Sequence, residues 1–366
     1  MRLLAVDILS FVVSKFRKPR SLNTKLRRIL IATPAHLGDA VILTAIIRAL
    51  KDRIPTLEIE VLCGSWSKII FQGHPGVSRI HCVDHPMCNR SEGSRQTKFT
   101  HYQGTLTLAL KSLNQHPYDL AVLAYAFEPS FIPLLLRLQQ SPPLVGFISA
   151  GYGSLLSKSY GHGPLDWHEV QHQAMLFETW LDSSLPAAHY RPWLPDYEYE
   201  VFPDEICDRS YVVVHPGTGS TAKEWPVKNW GAVIDFLLGQ NRCVVVTGQG
   251  NREAEIAVKV AGGRRVINLV NRLTFPQFCR VVAKTDLLVG VDSVAGHVAA
   301  AYERPGVIVA SGTSDIRRWH PLSEKVHVLT QPMSCSPCHS RPCATRPCIT
   351  DITAGAVLDR IKKVLP

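Results

Sequence analysis

The stretch Tyr211-Val212-Val213-Val214-His215-Pro216-Gly217-Thr218-Gly219-Ser220-Thr221-Ala222-Lys223 sets the reading of the whole chain. Four apolar residues stop at a turn rich in glycine and hydroxyl side chains. Such a run is too short for a helix and fits a strand buried on both faces. The same alternation continues onward. Asn229 to Gly239 has helical spacing and Cys243 to Thr247 is a second strand. Glu253 to Ala261 is a helix, Val266 to Leu269 a strand, and Thr274 caps a helix running to about Lys284. Asp286 to Gly290 is a strand, a helix starts near Ala295, and Val307 to Ala310 is a strand. Strand–helix–strand order implies a parallel, doubly wound sheet, and such sheets hold ligands at the carboxyl ends of their strands.

The first half repeats the pattern less cleanly. Ile29 to Ala32 reads as a buried strand, followed by the loop Thr33 to Gly38 and a helix from Ala40 to Arg53. Further strands are expected at Leu57 to Leu62 and Leu120 to Ala124, and Met87 to Thr105 reads as a polar, mobile loop. Residues 183–208 have little periodicity and are expected to link the halves.

At 366 residues the chain suits two domains, and its 46% apolar and 19% charged content is that of a globular protein, not a disordered one. The net charge of +10 suggests an anionic partner. Its location narrows the choice. Arg2, Lys15, Arg17, Lys18, Arg20, Lys25, Arg27 and Arg28 face only Asp7 within residues 1–30, so the remaining body is almost balanced. Leu3 to Phe16 is apolar apart from Asp7, Ser10, Ser14 and Lys15, which reads as an amphipathic helix with a narrow polar stripe. It is too short to span a bilayer and a poor signal peptide, because its charge follows the apolar run. A helix resting on an anionic membrane fits; a helix packed on the protein's own surface is the alternative. A cytoplasmic protein is expected, peripheral on the inner face of the cytoplasmic membrane.

Polar clusters fall at the expected strand ends. Asp39, after His36-Leu37-Gly38, sits at a helix start and suits either a helix cap or a base. Thr218, Ser220, Thr221 and Lys223 form a loop whose N–H groups and ammonium suit an anion, or an ordinary surface turn. Asp292, followed by Ser293, Val294, Ala295, Gly296 and His297, enters a helix of small residues; its carboxylate suits sugar hydroxyls or an N-cap. Glu253, beyond Thr247-Gly248, suits a ribose diol or an exposed helix start. Cys335, Cys338, Cys343 and Cys348 have the spacing of a metal knuckle for zinc or iron, with free thiols or disulfides as alternatives. The scattered remaining cysteines argue for a reducing compartment.

Taken together, these segments resemble glycosyltransferase family 9, the lipopolysaccharide heptosyltransferases. The matching pieces are Ile29-Leu-Ile…His36-Leu-Gly-Asp39, His215-Pro-Gly-Thr…Lys223-Glu-Trp-Pro…Asn229-Trp230, Thr247-Gly248…Glu253, Asp292-Ser293…His297-Val-Ala-Ala-Ala, and the cysteine-bearing tail. The resemblance implies an α/β chain of GT-B architecture, with two Rossmann-like doubly wound domains facing a central cleft and a last helix often returning to the first domain. The expected segments are a basic amphipathic extension over 1–27, an acceptor-binding domain over 28–190, a nucleotide-sugar-binding domain over 205–350 and a C-terminal helix over 351–366. The implied reaction is an inverting, metal-independent transfer of heptose from ADP-L-glycero-D-manno-heptose to inner-core Kdo or heptose, with no cofactor required. By the same resemblance Asp39 falls on the general base and Lys223 on the lysine that neutralises the departing diphosphate. Thr218, Ser220 and Thr221 belong to the phosphate loop. Asp292 falls on the sugar-contacting acid, Ser293, Val294, Gly296 and His297 line the phosphate, and Glu253 holds the ribose. Two departures stand out: Thr33-Pro34-Ala35 replaces a stretch that carries Arg in many members, and Val294 stands where Gly is common. The competing readings are a GT-B enzyme with another nucleotide-sugar donor or epimerase activity, and a zinc-knuckle nucleic-acid binder. The balanced body disfavours the latter, and no nucleic-acid partner is expected.

Overall fold

The computed structural model describes residues 2–20, 26–89, 93–125, 131–148, 152–161, 163–164, 166–181, 184–185, 190–206, 209–339 and 343–365. The chain divides into two units, Met1–Trp193 and Leu194–Pro366. The first contains strands β1 (Arg28–Thr33), β2 (Glu58–Cys63), β3 (Val77–Cys82), β4 (Leu120–Leu123), β5 (Leu144–Phe147) and β6 (Lys158–Tyr160). They pair in the order β3-β2-β1-β4-β5-β6, every pair parallel. The second contains β7 (Tyr211–His215), β8 (Cys243–Val246), β9 (Ile267–Asn268), β10 (Leu287–Val291), β11 (Gly306–Ala310) and β12 (Val326–Thr330). Their order is β12-β11-β10-β7-β8-β9, again parallel. The strand order reverses once in each sheet, between β1 and β4 and between β7 and β10. Those switch points are where a doubly wound sheet opens a crevice for ligands.

Burial explains why the strands read as apolar runs. Ile29 to Thr33 and Tyr211 to Val214 are buried residue after residue, because helices cover both sheet faces. The helix Leu37–Arg53 buries an unbroken run from Ala40 to Ile47. In the second unit Trp230 is wholly buried, edge-on to Trp225 with ring centroids 4.9 Å apart, and the Trp225 indole N–H donates to Ile352 O at 2.8 Å. That bond fastens the C-terminal segment. The final helix, Ala354–Val364, then sinks Val357 and Ile361 into the core of this same unit.

Two expectations need correction. The polar segment Met87 to Thr105 is not one loop. A helix runs from Arg95 to Leu113, started by Ser94, whose hydroxyl accepts from Thr97 N at 3.1 Å. It buries only Ala109 and Leu113, so no apolar stripe announces it. The N-terminal helix, Arg2–Phe16, is turned differently from the polar-stripe reading. Ser10 faces inward with Val6, and Val13 packs beside them near Tyr152 and Leu155. Ile8, Leu9, Phe11, Val12 and Phe16 point to solvent. The small Ser10 lets the helix approach closely, and its hydroxyl has no partner.

Candidate active site

Three loops of the second unit converge where β7, β8 and β10 end. β7 delivers His215, then Pro216 and the hydroxyl-rich loop. The ammonium of Lys223 donates to Asp292 Oδ2 at 2.6 Å. These residues come from the loops after β7 and β10, the strands that flank the switch point. Asp292 is 9% exposed and is not the N-cap of the following helix, Val294–Ala301. Ser293 is, accepting from Ala295 N at 3.4 Å. The Asp292 carboxylate is therefore held for pairing, with a cation beside it and a helix N-terminus behind it. Gly296 packs its backbone tightly, since a Cβ there would stand 3.0 Å from Pro321 and 3.2 Å from Ile308.

His297, one turn into that helix, is buried and pushed down to about 4 by desolvation, with His320 and Lys223 acting the same way and Asp292 opposing. It is neutral at pH 7, and its Nδ1 has no partner. His215 is also depressed to about 4 by desolvation, and its Nδ1 lies 3.0 Å from Thr247 Oγ1. That contact ties the end of β7 to the end of β8.

Glu253 sits in the first turn of the helix Asn251–Ala261. Its side chain lies against three glycines. A Cβ on Gly217 would run into its Cγ, one on Gly248 would stand 3.1 Å from its Cβ, and one on Gly250 2.5 Å from its Oε2. Gly250 also has φ +126°, which only glycine adopts without strain. The glycines of the two loops thus make room for one carboxylate beside the phosphate-type loop. Thr218 is buried, Ser220 half-buried and Thr221 exposed on that loop.

Sequence reasoning missed the braces around it. Glu224 is paired with Arg252, whose Nη2 donates at 2.7 Å. The Arg346 guanidinium donates to Thr221 O. Cys338 N and His339 N donate to Gly312 O and Thr313 O, each at 3.0 Å. The segment carrying Cys335, Cys338, Cys343 and Cys348 is thereby strapped to the loops at the ends of β7 and β11. Its backbone serves that purpose, and among the described residues no three His, Cys, Asp or Glu side chains are grouped to hold an ion. Cys335 and Cys343 are exposed, and the Cys343 sulfur accepts from Arg346 N at 3.3 Å.

In the first unit, Asp39 lies in the first turn of the helix Leu37–Arg53, and its Oδ2 accepts from His36 N at 3.0 Å. The carboxylate does cap its own helix, the structural alternative raised by its position. Capping orients it at the carboxyl end of β1. Next to it, Trp66 donates its indole N–H to Ala35 O at 2.9 Å. Beyond β3, the fully buried Asp84 accepts from Ser65 N and Ser65 Oγ, each at 2.6 Å, and pairs with His101 Nε2 at 2.6 Å. No motif in the sequence pointed to this network.

Comparison with known proteins fits the geometry. Residues 108–349 match the family model described as glycosyltransferase family 9 (heptosyltransferase). A lipopolysaccharide heptosyltransferase 3 from Escherichia coli is 24% identical over 90% of this chain and 96% of its own length. A lipopolysaccharide heptosyltransferase 1 from Pseudomonas aeruginosa is 24% identical over 85% of this chain and 86% of its own. Among solved structures, E. coli heptosyltransferase WaaC with ADP superposes with a TM-score of 0.72 at 19% identity, covering 92% of this chain and 99% of that one. A family 9 glycosyl transferase from Veillonella parvula gives 0.75 at 14% identity, covering 95% and 99%. These likenesses establish the fold as GT-B.

Proposed function

The chain belongs to glycosyltransferase family 9, the heptosyltransferases, and from that premise we propose that it moves a heptose from ADP-L-glycero-D-manno-heptose to the inner-core Kdo or heptose of lipopolysaccharide, with inversion. The observation that carries this reading is the Lys223–Asp292 pair at the β7/β10 switch point, set beside a helix N-terminus and the glycine-lined Glu253. Cleaving the donor builds negative charge on ADP. A lysine and a helix N-terminus placed at that charge supply electrostatic stabilisation in a preorganised form.

In this reading Lys223 exchanges part of its contact with Asp292 for the diphosphate. Asp292 then turns its lone pairs to sugar hydroxyls. Thr218, Ser220, Thr221 and the N–H groups of Ser293, Val294 and Gly296 line the phosphates, with His297 as a neutral hydrogen-bonding side chain. Glu253 takes the ribose diol. Asp39 removes the proton from the acceptor hydroxyl as it attacks the anomeric carbon, a contribution of roughly 10²–10⁴-fold for a positioned base. The bond from the anomeric carbon to the diphosphate oxygen breaks, and ADP leaves.

The outer face of the helix Arg2–Phe16 supports a reading in which this chemistry takes place at a membrane surface. Ile8, Leu9, Phe11, Val12 and Phe16 are exposed beside Lys15, Arg17, Lys18 and Arg20. Apolar insertion plus attraction to anionic headgroups is the physics of an interfacial helix. No described helix is long and apolar enough to cross a membrane. We place the enzyme at the cytoplasmic face, peripheral, next to a lipid-linked acceptor.

The test is ADP release from ADP-heptose in the presence of a Kdo-lipid acceptor. Turnover with this donor and loss of it in Asp39→Ala are expected. A chain that uses UDP- or GDP-sugars and ignores ADP-heptose refutes the donor assignment.

A further inference from the structure

Cys63 and Cys82 end β2 and β3 as register partners on neighbouring parallel strands. Such partners lie about 4.8 Å apart, within the Cα separation of roughly 4.4–6.8 Å that a disulfide spans. Register partners on neighbouring strands carry their side chains on the same sheet face, so the two thiols are neighbours. The two are unequal. Cys63 is fully buried, at 1% exposure, and Cys82 is half-buried. The neighbouring Cys63 thiol, with help from the Lys68 ammonium and against partial burial and Asp84, holds the Cys82 thiol below the ordinary range. The same pairing, with burial, pushes Cys63 well up. A half-accessible, thiolate-prone cysteine backed by a second thiol is the arrangement of a redox-active pair.

We propose that Cys82 and Cys63 form a peroxide-responsive dithiol in the first unit, with Cys82 as the attacking and Cys63 as the resolving thiol. The Cys82 thiolate attacks one oxygen of hydrogen peroxide, the O–O bond breaks, and hydroxide leaves, giving a sulfenic acid. The Cys63 sulfur then attacks the Cys82 sulfur and its proton goes to the departing hydroxide. The hydroxide lost in the first step takes up the proton that Cys82 released on forming its thiolate, so the products are one disulfide and two waters. Both strands run from these thiols straight into the Ser65 and Asp84 contacts, so the bond would form at the base of that network.

The readout is chemical and independent of which sugar the enzyme transfers. The full-length protein is exposed to a few equivalents of hydrogen peroxide and quenched with catalase. Remaining thiols are alkylated, and the chain is digested without reduction for mass spectrometry. Mapping is needed because the exposed Cys335 and Cys343 will also react. A peptide pair linked through Cys63 and Cys82, lost on dithiothreitol treatment, is expected. In Cys63→Ser, Cys82 should instead gain one or two oxygens; in Cys82→Ser, Cys63 should stay reduced. Circular dichroism of both variants checks that they fold. The proposal fails if wild-type Cys82 accumulates as sulfinic acid while Cys63 remains alkylable. It fails equally if Cys82 stays reduced after Cys335 and Cys343 have been consumed.

Discussion

The Lys223 ammonium stands 2.6 Å from the Asp292 carboxylate, joining residues 69 positions apart across the β7/β10 switch point. Asp292 is too deeply placed to lose its cation without cost. Lys223→Ala should lower unfolding free energy by about 1–3 kcal/mol, the penalty of an unsatisfied, largely buried acceptor. It should also cut turnover by about 10²–10³-fold, because the charge on the leaving diphosphate loses its counter-charge. Lys223→Ala/Asp292→Ala should recover part of the stability and none of the turnover. Urea titration and an ADP-release assay measure the two effects separately.

Glu253 has its own signature. Gly217→Ala places a methyl group against its Cγ, and Gly250→Ala adds a strained backbone at φ +126°. Gly250→Ala should cost more than about 1 kcal/mol, since alanine cannot adopt that conformation freely. Both substitutions, and Glu253→Ala, should raise the donor KM while leaving kcat within a few-fold, as expected for a group that holds the ribose and takes no part in bond cleavage. Donor-concentration series on the three variants decide this.

Legibility followed burial. The strands of the second unit show as apolar runs because helices cover both faces, and Thr274 announces its helix by a capping box with Gln277 that the structure contains. The strands that escaped notice are mostly those at sheet margins. β3 carries Ser78 and Arg79 because an edge strand is only partly covered, its buried His81 is paired with Glu60 and Ser112, and β6 is three residues long. The site divides along the same line. Loops flagged by glycines, hydroxyls and acids at strand ends were readable, whereas the Lys223–Asp292 contact, the Glu253 cradle and the Arg346 brace join residues far apart in sequence. No local pattern encodes those meetings; the strand order creates them.

The depressed histidines set a pH dependence of stability. His74, His215 and His297 all lie at about 4 in the folded chain through desolvation, against an ordinary value of 6.5. Unfolding raises them, so the unfolded chain binds more protons between those values. Stability is then full above about pH 6.5 and falls as pH drops toward 4. Each histidine contributes a few kcal/mol at most, from roughly 1.4 kcal/mol per pH unit. Urea midpoints should fall between pH 7 and pH 5. His297→Gln should show a smaller fall than wild type over the same interval, whatever its effect at pH 7.

The proposed base role of Asp39 and its capping of the helix can be separated by one substitution. Its carboxylate accepts the His36 N–H and so fixes the start of the helix. Asparagine keeps an oxygen acceptor for that bond but is no base. Asp39→Asn should therefore leave the unfolding midpoint within about 1 kcal/mol of wild type, the scale of a cap, and lower kcat by about 10²–10⁴-fold. Asp39→Ala should lose both. An Asp39→Asn chain with normal turnover would remove the base assignment while leaving the capping role intact.

The N-terminal helix offers the sharpest contrast between its two faces. Phe11 and Phe16 are 53% and 82% exposed, whereas Ser10 is 1% exposed against the first unit. Phe11→Ser/Phe16→Ser removes largely exposed apolar area whose ring partner is the Lys15 ammonium over Phe11, so unfolding should change by no more than about 0.5 kcal/mol. The same change should abolish most co-sedimentation with phosphatidylglycerol-containing vesicles, because a weak interfacial helix depends on each inserted ring. Binding by the wild type should also weaken as salt rises and screens Lys15, Arg17, Lys18 and Arg20. Ser10→Leu should do the reverse of the phenylalanine pair. It forces a larger side chain into a closed contact, costing about 1–3 kcal/mol, and leaves the outer face free to meet the vesicle. If the phenylalanine pair destabilises the chain and leaves vesicle binding unchanged, the exposed face serves the protein's own packing and the membrane assignment falls.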